Sequence, residues 1–181
     1  MNVAKAFSGP YGTVTINNLG DINNLGDDDF QFIFDASDLL KGANNFGIQN
    51  FGFNSLLTLT EANFSNLPSK WKITTRGSNL SEFGVFYADT SGTGSTRQNQ
   101  LIFNILDSGA TSELDFYVAN SSGNHFAAHI AGIGPYPNNT TSAWFSDGAP
   151  VPVPEPSTIL LSGLGLLGMG IFLRRRFSQK T

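Results

Sequence analysis

A chain of 181 residues suits one domain and a tail, not two full domains. Only 13% of it is charged, about half the usual ~25%, while 50 residues are Asn, Ser or Thr; 16 Phe and 40% apolar residues still supply a core, which excludes wholesale disorder and a coiled coil. No Cys means no disulfide, thiolate metal site or cysteine nucleophile, and residues 1–156 set six scattered bases against all 14 acids, a net of −8 that speaks against a nucleic-acid partner.

The chain opens on MNVAKAFSGPYGTVTINN, which lacks the basic start and the apolar run of roughly 7–15 residues found in a secretory signal. Short apolar or aromatic runs then recur at Val14 to Ile16, Phe30 to Phe34, Phe46 to Phe53, Leu56 to Thr60, Trp71 to Thr75, Phe83 to Tyr87, Leu101 to Leu106, Phe116 to Ala119 and Phe126 to Ile130. Turn signals such as Asn44-Asn45, Gly77-Ser78-Asn79, Asp107-Ser108-Gly109 and Ser121-Ser122-Gly123-Asn124 separate them. The pattern predicts an all-β domain over residues 1–148, an antiparallel β-sandwich that is jelly-roll-like. Phe30, Phe32 and Phe34 alternate onto one strand face and are expected in the core. Ser37 to Leu40 and Thr60 to Pro68 each have room for one helical turn.

Several constellations within this body invite a chemical reading. Asp21, Asn23 and Gly26 match positions one, three and six of an EF-hand loop, but Leu25 and Phe32 stand where two ligands belong, which leaves an irregular calcium site through Asp27, Asp28 and Asp29 as the candidate. His125 and His129 are four apart without the zincin Glu; on a strand their Cα atoms lie about 13 Å apart, too far to share one metal comfortably. Glu113 and Asp115 could share a strand face, as surface carboxylates commonly do, and no G-x-S-x-G is present. No enzyme activity and no cofactor are expected. Trp71 opens a strand with Ile73 on the same face and should be buried, whereas Trp144 and Tyr136 are candidates for stacking on sugar rings.

The tail is the most specific part. Proline at 150, 152, 154 and 156 makes residues 149–156 a Pro-rich linker that favours an extended spacer. Residues 157–173 carry no charge and would span about 25 Å as a helix, a marginal but sufficient C-terminal transmembrane helix. Arg174, Arg175 and Arg176 follow and, by the positive-inside rule, make 174–181 a basic cytoplasmic tail with the body outside. Gly163-Leu164-Gly165-Leu166-Leu167-Gly168 reads as the dinucleotide fingerprint, but the chain ends thirteen residues later, with no room for the βαβ unit it needs.

Val153-Pro154-Glu155-Pro156-Ser157, an apolar helix and an Arg cluster, in that order over residues 153–177, resemble the PEP-CTERM sorting signal of Gram-negative bacteria. The resemblance implies an inner-membrane precursor processed near Pro154-Glu155-Pro156 by an exosortase, then release to the outer surface or medium. Phe7 to Gly12 and Val118 to Ile130 are similar to segments of exported PEP-CTERM proteins with no known reaction, which implies export alone. Export requires a signal peptide, so the expectation is that the encoded precursor starts upstream of Met1. The body is then expected to play a structural or interaction role at the cell surface or in the extracellular polymeric matrix, with extracellular polysaccharide as a partner. The alternative is a glycan- or calcium-binding module on the same tail.

Overall fold

The computed structural model describes residues 4–9, 11–41, 45–134 and 141–147. Alternating side chains and glycine or asparagine turns divide them into twelve strands: β1 (Ala4–Gly9), β2 (Gly12–Gly20), β3 (Asp29–Ala36), β4 (Gly47–Phe53), β5 (Phe64–Ser65), β6 (Lys72–Thr74), β7 (Ser78–Asn79), β8 (Val85–Phe86), β9 (Ala88–Ser91), β10 (Gln100–Ile105), β11 (Phe126–Ile133) and β12 (Thr141–Ser146). Two five-stranded sheets result, ordered β1-β2-β3-β10-β5 and β12-β11-β4-β9-β6, with β7 and β8 as a separate two-stranded ribbon. Every strand pair is antiparallel, so the body is all-β. The chain crosses between the two large sheets from β3 to β4, β4 to β5, β5 to β6, β9 to β10 and β10 to β11.

The two large sheets face each other across one core, because each turns its phenylalanines inward. Phe32 of β3 lies 4.8 Å from Phe53 of β4 and 5.1 Å from Phe103 of β10, ring to ring, and Phe34 lies 5.2 Å from Phe51. Phe30, Phe32, Phe51, Phe53, Phe103 and Phe116 are all essentially inaccessible to solvent. The register explains the sharing: Phe32 pairs with Phe103 across β3 and β10, while Phe53 pairs with Phe126 across β4 and β11. Trp71 is buried, and its Nε1 donates to Thr96 O at 2.8 Å.

Two expected strands are absent. Leu56 to Thr60 runs without ladder partners, and Leu56 N donates to Asp115 O instead (2.8 Å). Phe116 closes a 3₁₀ turn at Glu113–Phe116, which Ser112 starts by accepting from Leu114 N, and Tyr117 to Ala119 leave it outside any strand. Glu113 and Asp115 therefore lie on a turn and not on a strand. Short 3₁₀ turns at Asp38–Leu40 and Glu61–Asn63 do occupy the two places where helical turns were expected.

Gly132 permits the bend in β11. Its φ is +73°, it lies where the register with β12 shifts, and a Cβ there would come within 2.6 Å of Asn45 O and 2.7 Å of Phe46 Cα. Both neighbours are backbone, so neither can turn aside. Gly132→Ala is expected to cost about 2–3 kcal/mol, seen as a lower urea midpoint at unchanged slope.

The chain divides into two units, Met1–Ala149 and Pro150–Thr181, and the second lies outside the described residues. The expected membrane helix at 157–173 falls there. Among the described residues no helix is long and apolar enough to cross a membrane.

Candidate functional site

The last described residues, Ser146 and Asp147 at the end of β12, are held by side chains. β12 pairs with β11 only, and its last ladder pair is Ser146 with Ala127. An edge strand of this kind frays unless something else fixes its end. Asp147 supplies the fixing: its Oδ1 accepts from two successive amides, His125 N at 2.9 Å and Phe126 N at 2.8 Å. Its Oδ2 lies 3.2 Å from His125 Nδ1, an ion-pair contact and not an aligned hydrogen bond. Ser146 Oγ is within reach of both Asn124 Oδ1 (2.7 Å) and Phe126 O (2.9 Å). Charge-assisted bonds of this type contribute roughly 1.5–3 kcal/mol each, enough to offset the ~1–2 kcal/mol of ordering one more residue.

The clamp is rooted in the core. The His125 ring stacks on Tyr117 at 3.8 Å and 5°, and Tyr117 packs at 5.7 Å on Phe126, which is buried. Burial, and then the Asp147 carboxylate, raise the Tyr117 pKa. Asn120 ties the same loop to the β7–β8 ribbon: its Nδ2 donates to Phe83 O (2.9 Å) and Val85 O (3.2 Å) while its Oδ1 accepts from Ser122 N and Asn124 N.

A second polar cluster lies on the outer face of the sheet built on β4 and β11. The register places Ser146, Ala127, Gly52, Asp89 and Thr74 in one row across this face, and Trp144, His129, Asn50, Ser91 and Lys72 in the next. Leu80 and Phe86 of the ribbon segment cover the first row and pack on Ala127, with Phe83 and Trp144 alongside. A Cβ at Gly52 would overlap the Leu80 side chain, so the small residues make the seat. Asp89 lies beneath this cover at 8% exposure, with its Oδ1 unpartnered, and burial pushes its carboxyl up to about 6 against the lowering effect of a Ser78 hydrogen bond. Asn50 Oδ1, diagonally across from it, is also buried without a partner. Trp144 is half-buried and stacks on His129 at 4.9 Å. Burial and the Arg97 charge lower the His129 pKa.

The histidine pair therefore points to two different aromatic partners, on or next to a strand. The three aspartates of the acidic loop also diverge. Asp27 Oδ2 accepts from Gly109 N (2.7 Å) and Asp28 Oδ2 from Asn18 Nδ2 (2.8 Å). Asp29, fully buried, accepts from Ile22 N (3.0 Å) and Asp107 N (3.2 Å). Asp21 accepts from Leu25 N and Gly26 N, and Asn23 bonds Asp107. Asp27 and Asp29, with the Asn23–Asp107 bond, staple the 21–29 loop to the 107–109 turn. Among the described residues no three acids or histidines gather as a metal site.

Asp147 and Asn120 were not among the sequence candidates, because each bonds to residues more than 20 positions away on other strands or loops, and Asp89 was not because the ribbon segment that buries it is not legible in the local pattern. Of the sequence candidates, Tyr136, the motif residues Val153, Pro154, Glu155, Pro156 and Ser157, and Arg174, Arg175 and Arg176 lie outside the described residues. No curated protein and no solved structure matches the chain. Residues 152–176 match the family model of the PEP-CTERM protein-sorting motif, so the chain carries, behind its β body, the C-terminal signal by which an exosortase sorts an exported protein.

Proposed function

We propose that the chain is a Gram-negative surface or matrix protein, held in the inner membrane through residues 157–173 and cut by an exosortase near Pro154-Glu155-Pro156. The observation that carries this reading is the family match over residues 152–176. The uncharged run and the Arg174–Arg176 cluster support the membrane step, since together they orient a single span with the body outside. The freed body is a structural or interaction component of the extracellular polymer, and not an enzyme. Its polar side chains support that reading: Asp27 and Asp29 of the acidic loop, His125 and Asn120 are engaged in holding loops and strands together.

Intact mass and fractionation of the protein expressed from its own locus, with and without the exosortase, test the proposal. The expected result is loss of the residues after the motif and departure from the inner membrane only when the enzyme is present. A full-length chain that stays in the inner membrane under both conditions overturns it.

A further inference from the structure

Resting on the reading of the body as a component of the extracellular polymer, we propose that the outer face of the sheet built on β4 and β11 binds an acidic polysaccharide, a chain of carboxylated sugars, along one row of side chains. The row is Trp144, His129, Asn50, Ser91 and Lys72, one residue from each of β12, β11, β4, β9 and β6. Neighbouring strands lie about 4.8 Å apart, so the row is about 19 Å long. It lies next to the row seated under Leu80 and Phe86; its Lys72 end is exposed and the other four residues are half-buried.

The polar groups of this row are unspent. Among the described residues, Trp144 Nε1, the His129 ring nitrogens, Ser91 Oγ and Lys72 Nζ make no hydrogen bond or ion pair, although half-buried polar groups are usually paired. Asn50 has its Oδ1 buried without a partner, which leaves its amide nitrogen to face outward. Trp144 stacks on His129 and so fixes the imidazole in the row. The charge is also one-sided. Lys72 stands at one end, and Arg97 is held beside the row by neutral acceptors, Gln49 Oε1 (3.4 Å) and Asn45 O (2.8 Å). Neither cation has a carboxylate within ion-pair distance among the described residues. The row holds no acid, and the acid of the adjoining row, Asp89, is covered at 8% exposure. A donor-rich, acid-free row flanked by two uncompensated cations complements carboxylates and the hydroxyls between them. Two cations in a body of net −8 are too few to hold a phosphate backbone.

The test titrates the full chain in mild detergent with polygalacturonate, at about 0.15 M salt, where a Debye length of about 8 Å confines charge effects to near neighbours. Trp144 is the reporter, because the other tryptophan, Trp71, is buried and bonded to Thr96 O. A saturable fluorescence change is expected, with binding about ten-fold tighter than for neutral dextran or for polyglutamate, which has carboxylates without sugar hydroxyls. Lys72→Glu should weaken binding about ten-fold, and Arg76→Glu, the same charge change at an exposed residue beyond the end of β6, by about two-fold at most. Asn50→Ala should weaken it about five-fold at an unchanged urea midpoint, since the Asn50 side chain bonds nothing in the fold. Should that midpoint fall, Ser91→Ala takes its place with the same expectation. No saturable change, equal binding of the three polymers, or equal effects of Lys72→Glu and Arg76→Glu overturns the inference. Absence of binding by a chain that the exosortase processes normally counts against the inference alone; binding by a chain that the exosortase leaves uncut counts against the proposed function alone.

Discussion

Phe53→Ala is expected to destabilise the body by about 4 kcal/mol, the largest loss from any single side chain considered. Phe53 is fully buried and sits where both sheets meet, with ring centroids of Phe32, Phe51, Phe64, Phe103 and Phe116 between 4.8 and 6.4 Å away. Truncation removes its transfer energy and its edge and stacking contacts together, and it leaves a cavity walled by rings that belong to paired strands. Those strands cannot move inward without breaking ladder bonds, so the cavity does not collapse. For a body of this size the loss corresponds to a fall in Tm of roughly 10–15 °C. Phe64→Ala is the control: Phe64 touches Phe53 and Phe103 but is only half-buried on the two-residue strand β5, so its loss should be about half as large. Urea titration of the full chain in mild detergent reads both. Equal losses for the two variants would mean that the shared core is not centred on Phe53.

The difference between these two residues shows what the sequence could and could not disclose. Phe30, Phe32 and Phe34 alternate on one strand, so both their secondary structure and their burial are written locally; the same holds for Leu101, Phe103 and Ile105. β9 was missed for a physical reason. Its Ala88, Asp89 and Thr90 are all buried, since the core covers one face and the ribbon covers the other, and a strand covered on both sides has no polar alternation to read. Leu56 to Thr60 misled in the opposite sense: the pattern fits a strand, but the backbone of Leu56 is taken by Asp115, nearly sixty residues away. The Asp147 clamp could not be read at all, because an aspartate before a proline-rich stretch looks like any exposed turn residue until β11 is laid beside it. The tail needs no such partner. Its motif, apolar run and basic cluster are contiguous, and for that reason it was the part that sequence alone could identify.

Asp89→Asn is expected to stabilise the body at pH 8 by about 3 kcal/mol and to change it little at pH 4. The carboxyl titrates near 6 in the fold against 3.8 for an unperturbed aspartate, because burial under Leu80 and Phe86 disfavours the charge. Its folded pKa is raised, so the stability it contributes is fully present below about pH 4 and is lost as pH rises through about 6. Protonated, Asp89 carries a donor near the unpartnered Asn50 Oδ1; ionised, it keeps the Ser78 hydrogen bond but has no ion-pair partner among the described residues to offset its burial. Asparagine keeps the shape and supplies that donor at every pH. His129, in the neighbouring row, works the other way: its lowered pKa gives stability that is present above about 6.5 and lost as pH falls, and Lys72 is exposed at the far end of that row. The informative quantity is therefore the difference between variant and wild type, in which His129 cancels. That difference should grow mainly between about pH 4 and pH 6 and then level off. A difference that stays constant from pH 4 to pH 8 would mean that Asp89 ionises as an exposed carboxylate does, and that the ribbon does not seal the face it covers.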